Sequence, residues 1–277
     1  MKFGFIGFGE VLYTLSKILL SYGFEVLSSE EGRSKKTKKL MNSLDITILD
    51  SLKDVALESD ILISANSPQN ALAVAVEYGS LTKGIFLDFN NISPNTARQI
   101  ADYIPPEHFI DSAIMGKVSS NELNLFFSGK NAREFVDDML ELANRYKKSI
   151  IDEGCDFESD VKVNIQVVSD EIGDVSSLKT LRSSYTKGVS AILVETFETA
   201  QKLGLEDDLW KVLSLTENRD FETASKSRIN SSYKASHRRF EELKEILEFL
   251  DNIDDDEDSK IMAMAIKDKF EYLKDKN

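Results

Sequence analysis

The residues with the clearest chemistry stand near the start of the chain. Gly7-Phe8-Gly9 follows the apolar run of residues 3–6 and precedes a helical pattern through Val11, Leu15, Ile18 and Leu19. Strand, glycine turn and helix are what a dinucleotide pyrophosphate needs. Gly7 permits the tight turn, and Gly9 lets the backbone approach the phosphates. A helix beginning near Glu10 turns its unpaired N–H groups and positive end toward the anion. Gly7, Phe8, Gly9, Glu10 and Val11 are therefore the expected cofactor-binding turn. The third small residue of the usual pattern would stand at position 12, where this chain has Leu12. On its own the Gly-x-Gly fits equally well a β–α turn that binds no nucleotide.

Two further segments bear on the same ligand. After a second strand come Ser28, Ser29, Glu30, Glu31, Arg33, Ser34, Lys35 and Lys36. An acidic side chain here would hold the ribose diol of NAD, whereas guanidinium and hydroxyl groups suit a 2′-phosphate. A cation cluster in an acidic chain favours NADP(H) over NAD(H), with Ser29, Arg33 and Ser34 as contacts. A solvated helix start is the plain alternative. The loop Ser64-Ala-Asn-Ser-Pro-Gln69 should face the nucleotide, with Asn66 and Ser67 donating to ribose or phosphate oxygen.

The composition narrows the class. With 277 residues, 42% of them hydrophobic, the chain can build one large or two ordinary domains. A net charge of −14 disfavours nucleic acid or an anionic membrane as partner. Small anionic ligands need only a local positive field. The single Cys155 excludes an intrachain disulfide, and with only His108 and His237 no metal site is expected. The acidic run of residues 254–258 lacks the glycine and spacing of a calcium loop and reads as a solvated connection. No apolar run approaches a membrane span and no leader precedes the first strand, so a cytoplasmic protein is expected.

These groups need a scaffold. Strands are expected at 3–6, 24–28, 46–49, 61–64, 84–88 and 109–111, alternating with helices. That order implies a parallel sheet covered on both faces. Further strands are expected at 124–128 and 161–168, with a helix over 132–146 between them; residues 147–162 read as a loop or hairpin. Leu178, Leu181, Tyr185, Val189, Ile192, Phe197, Ala200 and Leu203 then mark the buried stripe of one long helix, ended by Gly204. Helices follow near 206–215, 221–235, 237–250 and 259–274. The chain thus reads as an α/β Rossmann-like domain, residues 1–172, and an all-α domain, residues 173–277.

Five blocks in order carry a resemblance. They are Gly4-Phe-Ile-Gly-Phe-Gly-Glu-Val11, Asp88-Phe-Asn-Asn-Ile-Ser-Pro94, Asp111-Ser-Ala-Ile-Met-Gly116, the stretch 173–188, and 228–233 with His237-Arg-Arg239. Together they resemble the β-hydroxyacid dehydrogenases, which include 6-phosphogluconate and 3-hydroxyisobutyrate dehydrogenases. Within them the chain resembles the branch with a phosphogluconate-dehydrogenase-like C-terminal domain. The resemblance implies a Rossmann-like domain joined by a long helix to an all-α domain that forms a homodimer. It also implies a catalytic lysine on that helix, which matches Lys179. A lysine there, beside Leu178 of the stripe, can lose basicity by desolvation and exchange a proton near neutral pH.

The site departs from the family in several places. Ser183 stands where the family has Asn. Met115, followed by Gly116 and Lys117, replaces a carboxylate-binding serine, so the Gly116 amide and the Lys117 charge are the expected substrate contacts and hydroxyisobutyrate is not the expected substrate. Asn90, on the cofactor side, and Asn91, on the substrate side, replace a hydroxyl pair. His237 and Arg239 are further substrate candidates, against plain i,i+4 pairing of His237 with Glu241 and of Arg238 with Glu242. The leading reading is an NADP(H)-dependent oxidoreductase acting on a small anionic hydroxy or keto compound, or a related imine. The alternatives are a non-catalytic NADP-binding regulatory protein on the same fold and an enzyme using a deazaflavin donor.

Overall fold

The computed structural model describes residues 1–116, 122–153, 162–253 and 256–276. Two compact units divide the chain, Met1–Arg182 and Ser183–Asn277. Among the described residues no helix is long and apolar enough to cross a membrane.

The first unit is an eight-stranded sheet with helices. Its strands are β1 (Lys2–Ile6), β2 (Glu25–Ser29), β3 (Thr47–Leu49), β4 (Ile61–Ser64), β5 (Ile85–Asp88), β6 (Phe109–Ile114), β7 (Glu122–Ser128) and β8 (Lys162–Ser169). Their order is β3-β2-β1-β4-β5-β6-β7-β8. The first six run parallel, as the alternation with helices requires. β7 runs antiparallel to β6, and β8 parallel to β7, so the sheet is mixed at one edge. Too few residues separate Ile114 from Glu122 for a parallel crossover, which needs a dozen or more.

Alternating side chains give the sheet two apolar faces. Phe3, Phe5, Ile61, Ile63, Leu87, Ile110 and Phe127 face α1 (Glu10–Ser21) and α6 (Ala132–Asp152). Ile6, Leu62, Phe86 and Phe109 face α3 (Leu52–Glu58), α4 (Ala71–Tyr78) and α5 (Pro94–Ala101). α2 (Lys35–Met41) closes the β2–β3 edge. α6 continues to Asp152, past the expected end at 146, and residues 154–161 lie outside the described residues.

α7 (Asp174–Leu203) belongs to both units, since the first unit includes its opening turns. It ends before Gly204, as its sequence requires. The second unit adds α8 (Glu206–Glu217), α9 (Phe221–Lys234), α10 (Ser236–Asp251) and α11 (Ile261–Asp275). Phe240 and Leu243 of α10 and Ala263 and Leu273 of α11 are buried. The Glu195 carboxylate accepts from the Met262 and Ala263 amides, at 2.6 and 2.9 Å, and so caps α11. The stripe expected to be buried on α7 is largely exposed instead. Leu181 is 67% and Tyr185 54% exposed, and Leu178, Val189 and Leu203 are exposed as well. A 30-residue helix outruns what the helices of this chain cover.

Leu12 explains the incomplete glycine pattern. It is fully buried in the core between α1 and the sheet. Leu12→Ala restores a small residue at that position but opens a cavity. It should lower stability by about 2–5 kcal/mol in urea unfolding; an unchanged midpoint would remove Leu12 from the core account.

Candidate active site

Four strands carry polar residues in one row across the sheet. Ser64 of β4 pairs with Asp88 of β5, Asp88 with Asp111 of β6, and Asp111 with Ser128 of β7. Residues in register share a face, so the row lies on the α3–α5 side, level with the ends of β4 and β5. All four are at most 1% exposed. Buried polar groups of this kind need partners, and each has them.

Asp111 is bonded to the start of α7. Its Oδ2 accepts from the Gly173 and Ser176 amides at 3.1 and 3.0 Å, and its Oδ1 from the Ser176 hydroxyl at 2.8 Å. Ser128 Oγ accepts from the Val175 amide at 3.2 Å. The amides left unpaired at a helix start thus find acceptors on the sheet, and a carboxylate meets the positive end of the helix.

Asp88 is bonded within its own loop. Its two oxygens accept from the Asn90 backbone amide at 2.9 Å and from Asn90 Nδ2 at 2.8 Å. Asn90 Nδ2 also donates to Ser64 Oγ at 2.9 Å, and Asn90 Oδ1 accepts from the Asn66 amide. Asn66 Nδ2 in turn donates to the Ile6 carbonyl and to Ser64 Oγ, at 3.0 and 3.2 Å. One polar chain therefore runs from the end of β1 to the loop after β5.

Lys179 completes that chain. It stands three residues beyond Ser176, on the same side of α7. Its Nζ donates to the Asn90 carbonyl at 3.5 Å. The amine is half-buried, whereas Leu178, expected in the buried stripe, is 41% exposed. Burial lowers the Lys179 pKa below the ordinary lysine value, Asp88 and Asp111 raise it, and Arg182 lowers it again; the net shift is downward. Burial pushes the Asp88 carboxyl up to about 7 against the pull of its Asn90 bonds, with Asp111 raising it further and Lys179 lowering it. Burial raises Asp111 too, and the Ser176 and Gly173 bonds hold it down.

The dinucleotide side lies at the end of β1. Gly7 has φ +103°, and a Cβ there would stand 2.2 Å from the Ala65 carbonyl oxygen and 3.0 Å from Asn66 Oδ1. Only glycine fits so close an approach. A Cβ on Gly9 would meet nothing within 4 Å, and no side chain caps α1. The backbone amides of Glu10 and Val11 open that helix, while the Phe8 ring is buried against Phe5. Ser67 begins the turn at residues 68–70. At the end of β2, Ser29 Oγ donates to the Asp50 carbonyl and accepts from the Glu31 amide, and Ser34 Oγ caps α2 through the Thr37 amide. Glu30 binds Asn42 and Lys38, and Glu31 accepts from the Leu52 amide. Arg33 Nε is buried without a hydrogen-bond partner, and burial lowers its pKa. The open space at Gly9 and the uncapped helix fit a dinucleotide pyrophosphate.

The remaining candidates are spread more widely. Asn91 is exposed after Asn90. Met115 is half-buried, its amide donating to the Asn124 carbonyl at 3.0 Å, and Gly116 is exposed; Lys117 lies outside the described residues. Asn124, bonded to Asn164 at 2.9 Å, stands beside Gly116. Ser183 opens the second unit. In that unit His237 is exposed on the first turn of α10. Arg239 donates to Ser232 and Ser231, at 2.6 and 2.8 Å, and lies over the Phe270 ring, an arrangement that ties α9 to α10 and α11. Arg238 pairs with Glu242 at 3.4 Å as expected, but Glu241 pairs with Lys244 rather than His237. Ser64, Asp88, Asp111 and Ser176 escaped the sequence reading as site residues, although two of the family blocks open on those aspartates. Among the described residues no group of three His, Cys, Asp or Glu side chains is placed to hold a metal ion. An apolar cavity of about 200 Å³ lies on the other face of the sheet, walled by Phe3, Ile63, Phe127 and Met139, and offers no charged group.

Asp111→Ala would strand the Gly173 amide and both Ser176 donors. It should cost more than about 2 kcal/mol of unfolding free energy. A loss below that in chemical denaturation would show that the sheet does not hold α7 in this way.

The chain is 39% identical over 277 residues to an uncharacterized 28.5 kDa protein of Methanothermus fervidus, covering 99% of this chain and 100% of that one. Residues 200–273 match a domain of unknown function, DUF1932. Among solved structures, the conserved protein MTH1747 of unknown function is 40% identical, with 99% of this chain and 97% of that chain covered and a TM-score of 0.62; it is described as structurally similar to 3-hydroxyacid dehydrogenases. An imine reductase from Myxococcus stipitatus, in complex with NADP+, is 13% identical over 100% of this chain and 95% of that one, with a TM-score of 0.74, a likeness of fold alone. On its five blocks, its sheet and its relatives, the chain belongs to the β-hydroxyacid dehydrogenase family, in the branch whose C-terminal region carries the DUF1932 domain.

Proposed function

We propose that this protein is an NADP(H)-dependent oxidoreductase that transfers hydride between nicotinamide and a small anionic hydroxy or keto compound. The observation that carries the reading is the Lys179 amine. It is half-buried, held by the Asn90 carbonyl, and joined through Asn90 and Asn66 to the glycine turn that fits a pyrophosphate. A nicotinamide, when bound, gives or accepts the hydride. Lys179 as the amine takes the substrate hydroxyl proton as the carbinol is oxidised, and as the ammonium returns it in reduction. Its charge also steadies the developing alkoxide. Gly116, Lys117 and Asn91 are the proposed contacts for the substrate's anionic group, and Ser183, Met115, His237 and Arg239 remain candidates for its outer part. A cytoplasmic site of action goes with this reading.

The NADP preference rests on Arg33. Both acidic side chains that would hold a ribose diol are engaged by the protein, whereas the buried Arg33 Nε has no partner. A guanidinium suits a 2′-phosphate. NADPH should therefore bind more tightly than NADH in fluorescence titration. Arg33→Ala should erase a preference worth about 1.5–3 kcal/mol. Equal affinities for the two cofactors in the unmutated protein would contradict it.

A homodimer is part of the proposal. Leu181, Tyr185 and Val194 of α7, and Trp210 and Leu215 of α8, are each more than half exposed. Surfaces of that kind mark association sites. Light scattering at micromolar concentration should give twice the 31.2 kDa chain mass. A monomer mass would oppose this part of the proposal.

Lys179→Met keeps most of the side-chain length but removes the proton and the charge. It should lower kcat by a factor on the order of 10² to 10⁴ and leave NADPH affinity unchanged. In the oxidation direction the amine is the base, so kcat of the unmutated enzyme should rise with pH, through a midpoint below the ordinary lysine pKa; in reduction it should fall over the same range. Single-turnover kinetics on a panel of hydroxy and keto acids tests both. Undiminished turnover by the variant would remove Lys179 from the chemistry, and NADPH binding without turnover on any acid would favour a regulatory protein.

A further inference from the structure

We infer that Asp88 is a positioning residue for Lys179, a buried carboxyl whose charge fixes how readily the lysine gives up its proton. The inference rests on the reading of Lys179 as the acid–base group. Neither Asp88 nor Asp111 belongs to the binding surface expected from the sequence, yet both carboxyls act on the charge of the amine.

The two carboxyls are adjacent on neighbouring strands but differently served. Asp111 has three donors from the start of α7 and the positive helix end. That arrangement stabilises its charged form. Among the described residues Asp88 has only the two Asn90 donors, and it lies fully buried between Ser64 and Asp111. Two like charges so placed cannot both ionise freely, and the less supported one holds the proton. Asp88 is therefore the group of the pair that changes charge near neutral pH, in keeping with its upward shift to about 7. The Asn90 residue that binds the Asp88 carboxyl through its amides also presents its carbonyl to Lys179 Nζ. Asp88 thus acts on the lysine in two ways, by its field and by fixing the carbonyl that holds the amine.

Among the described residues the other charged groups are few. Arg182 lies on the same helix as Lys179 and opposes its charge. Asp174, at the helix start, is bonded to Ser169. Arg98 of α5 lies against Gly173 and donates to Asn95. β4 and its following loop supply only the neutral Ser64 and Asn66. Asp88 and Asp111 are thus the carboxylates that favour the charged lysine, and Asp88 is the one that titrates.

Ionised Asp88 favours the ammonium form of Lys179, so removing its charge lowers the lysine pKa. By the same coupling, removing the lysine charge raises the Asp88 pKa. Lys179 labelling by an amine-reactive reagent, followed by peptide mass spectrometry across pH, reads the first effect without any substrate. Asp88→Asn should move the labelling midpoint to lower pH and speed labelling at pH 7 by roughly three- to tenfold. Carboxyl NMR of 13C-aspartate protein reads the second effect. In Lys179→Met, a variant that leaves the buried row intact, the Asp88 midpoint should move to higher pH. An unchanged Asp88 midpoint in Lys179→Met would overturn the inference, whether or not Asp88→Asn folds. An unchanged labelling midpoint in a folded Asp88→Asn protein would do the same. Both readouts are independent of turnover, so coupling seen in a protein that reduces no acid would sink the proposed reaction and leave Asp88 in place.

Discussion

The Asp111 carboxylate joins the sheet to the long helix, and the rest of the site depends on that bond. Its three donors all come from the first residues around the start of α7. A buried charge is costly unless fully hydrogen-bonded, and a helix start is costly unless its amides are met. Each group answers the other's need. The direction in which α7 leaves the sheet is thereby fixed, and with it the place of Lys179 one turn on. Ser128 supports the same turn through Val175. The reversed strand β7 matters for this reason, because it brings Ser128 into register with Asp111.

A second constraint is the economy of the β1–β4–β5 strand ends. Asn90 uses both ends of its side-chain amide and Asn66 its backbone and side-chain N–H groups, so that Ser64, Asp88 and the Ile6 carbonyl are all satisfied by neutral groups. This network leaves the Gly7–Gly9 turn and the α1 amides to whatever meets them from outside. It also keeps the Asp88 carboxyl out of water, bound to the same Asn90 that holds the lysine. An acidic chain of net charge −14 can still serve an anionic ligand, since the cationic groups are local.

Much of the scaffold was legible in the sequence. The strand at 61–64 and the helix stop at Gly204 follow from apolar runs and a single glycine, and both appear where expected. The glycine turn and Lys179 stood out through motif and resemblance. Other features depend on information a sequence does not carry locally. The apolar stripe of α7 shows that one side of the helix seeks a partner, yet periodicity cannot say whether this chain supplies it. The extension of α6 to Asp152 runs through polar residues with little apolar period, where the helical signal fades. The roles of Asp88 and Asp111 rest on strand register: two aspartates 23 positions apart become neighbours only when β5 and β6 pair. Leu12 looked like a defect in a motif and is instead a core residue.

The Lys179 amine and the glycine turn are proposed to serve one dinucleotide. A crystal structure with NADP+ tests it most directly. The pyrophosphate is expected at the amides that open α1, the 2′-phosphate at Arg33, and the nicotinamide ring over the loop of Asn66 and Asn90 with its reacting face toward Lys179. A dinucleotide bound elsewhere, or a nicotinamide turned away from Lys179, would contradict it.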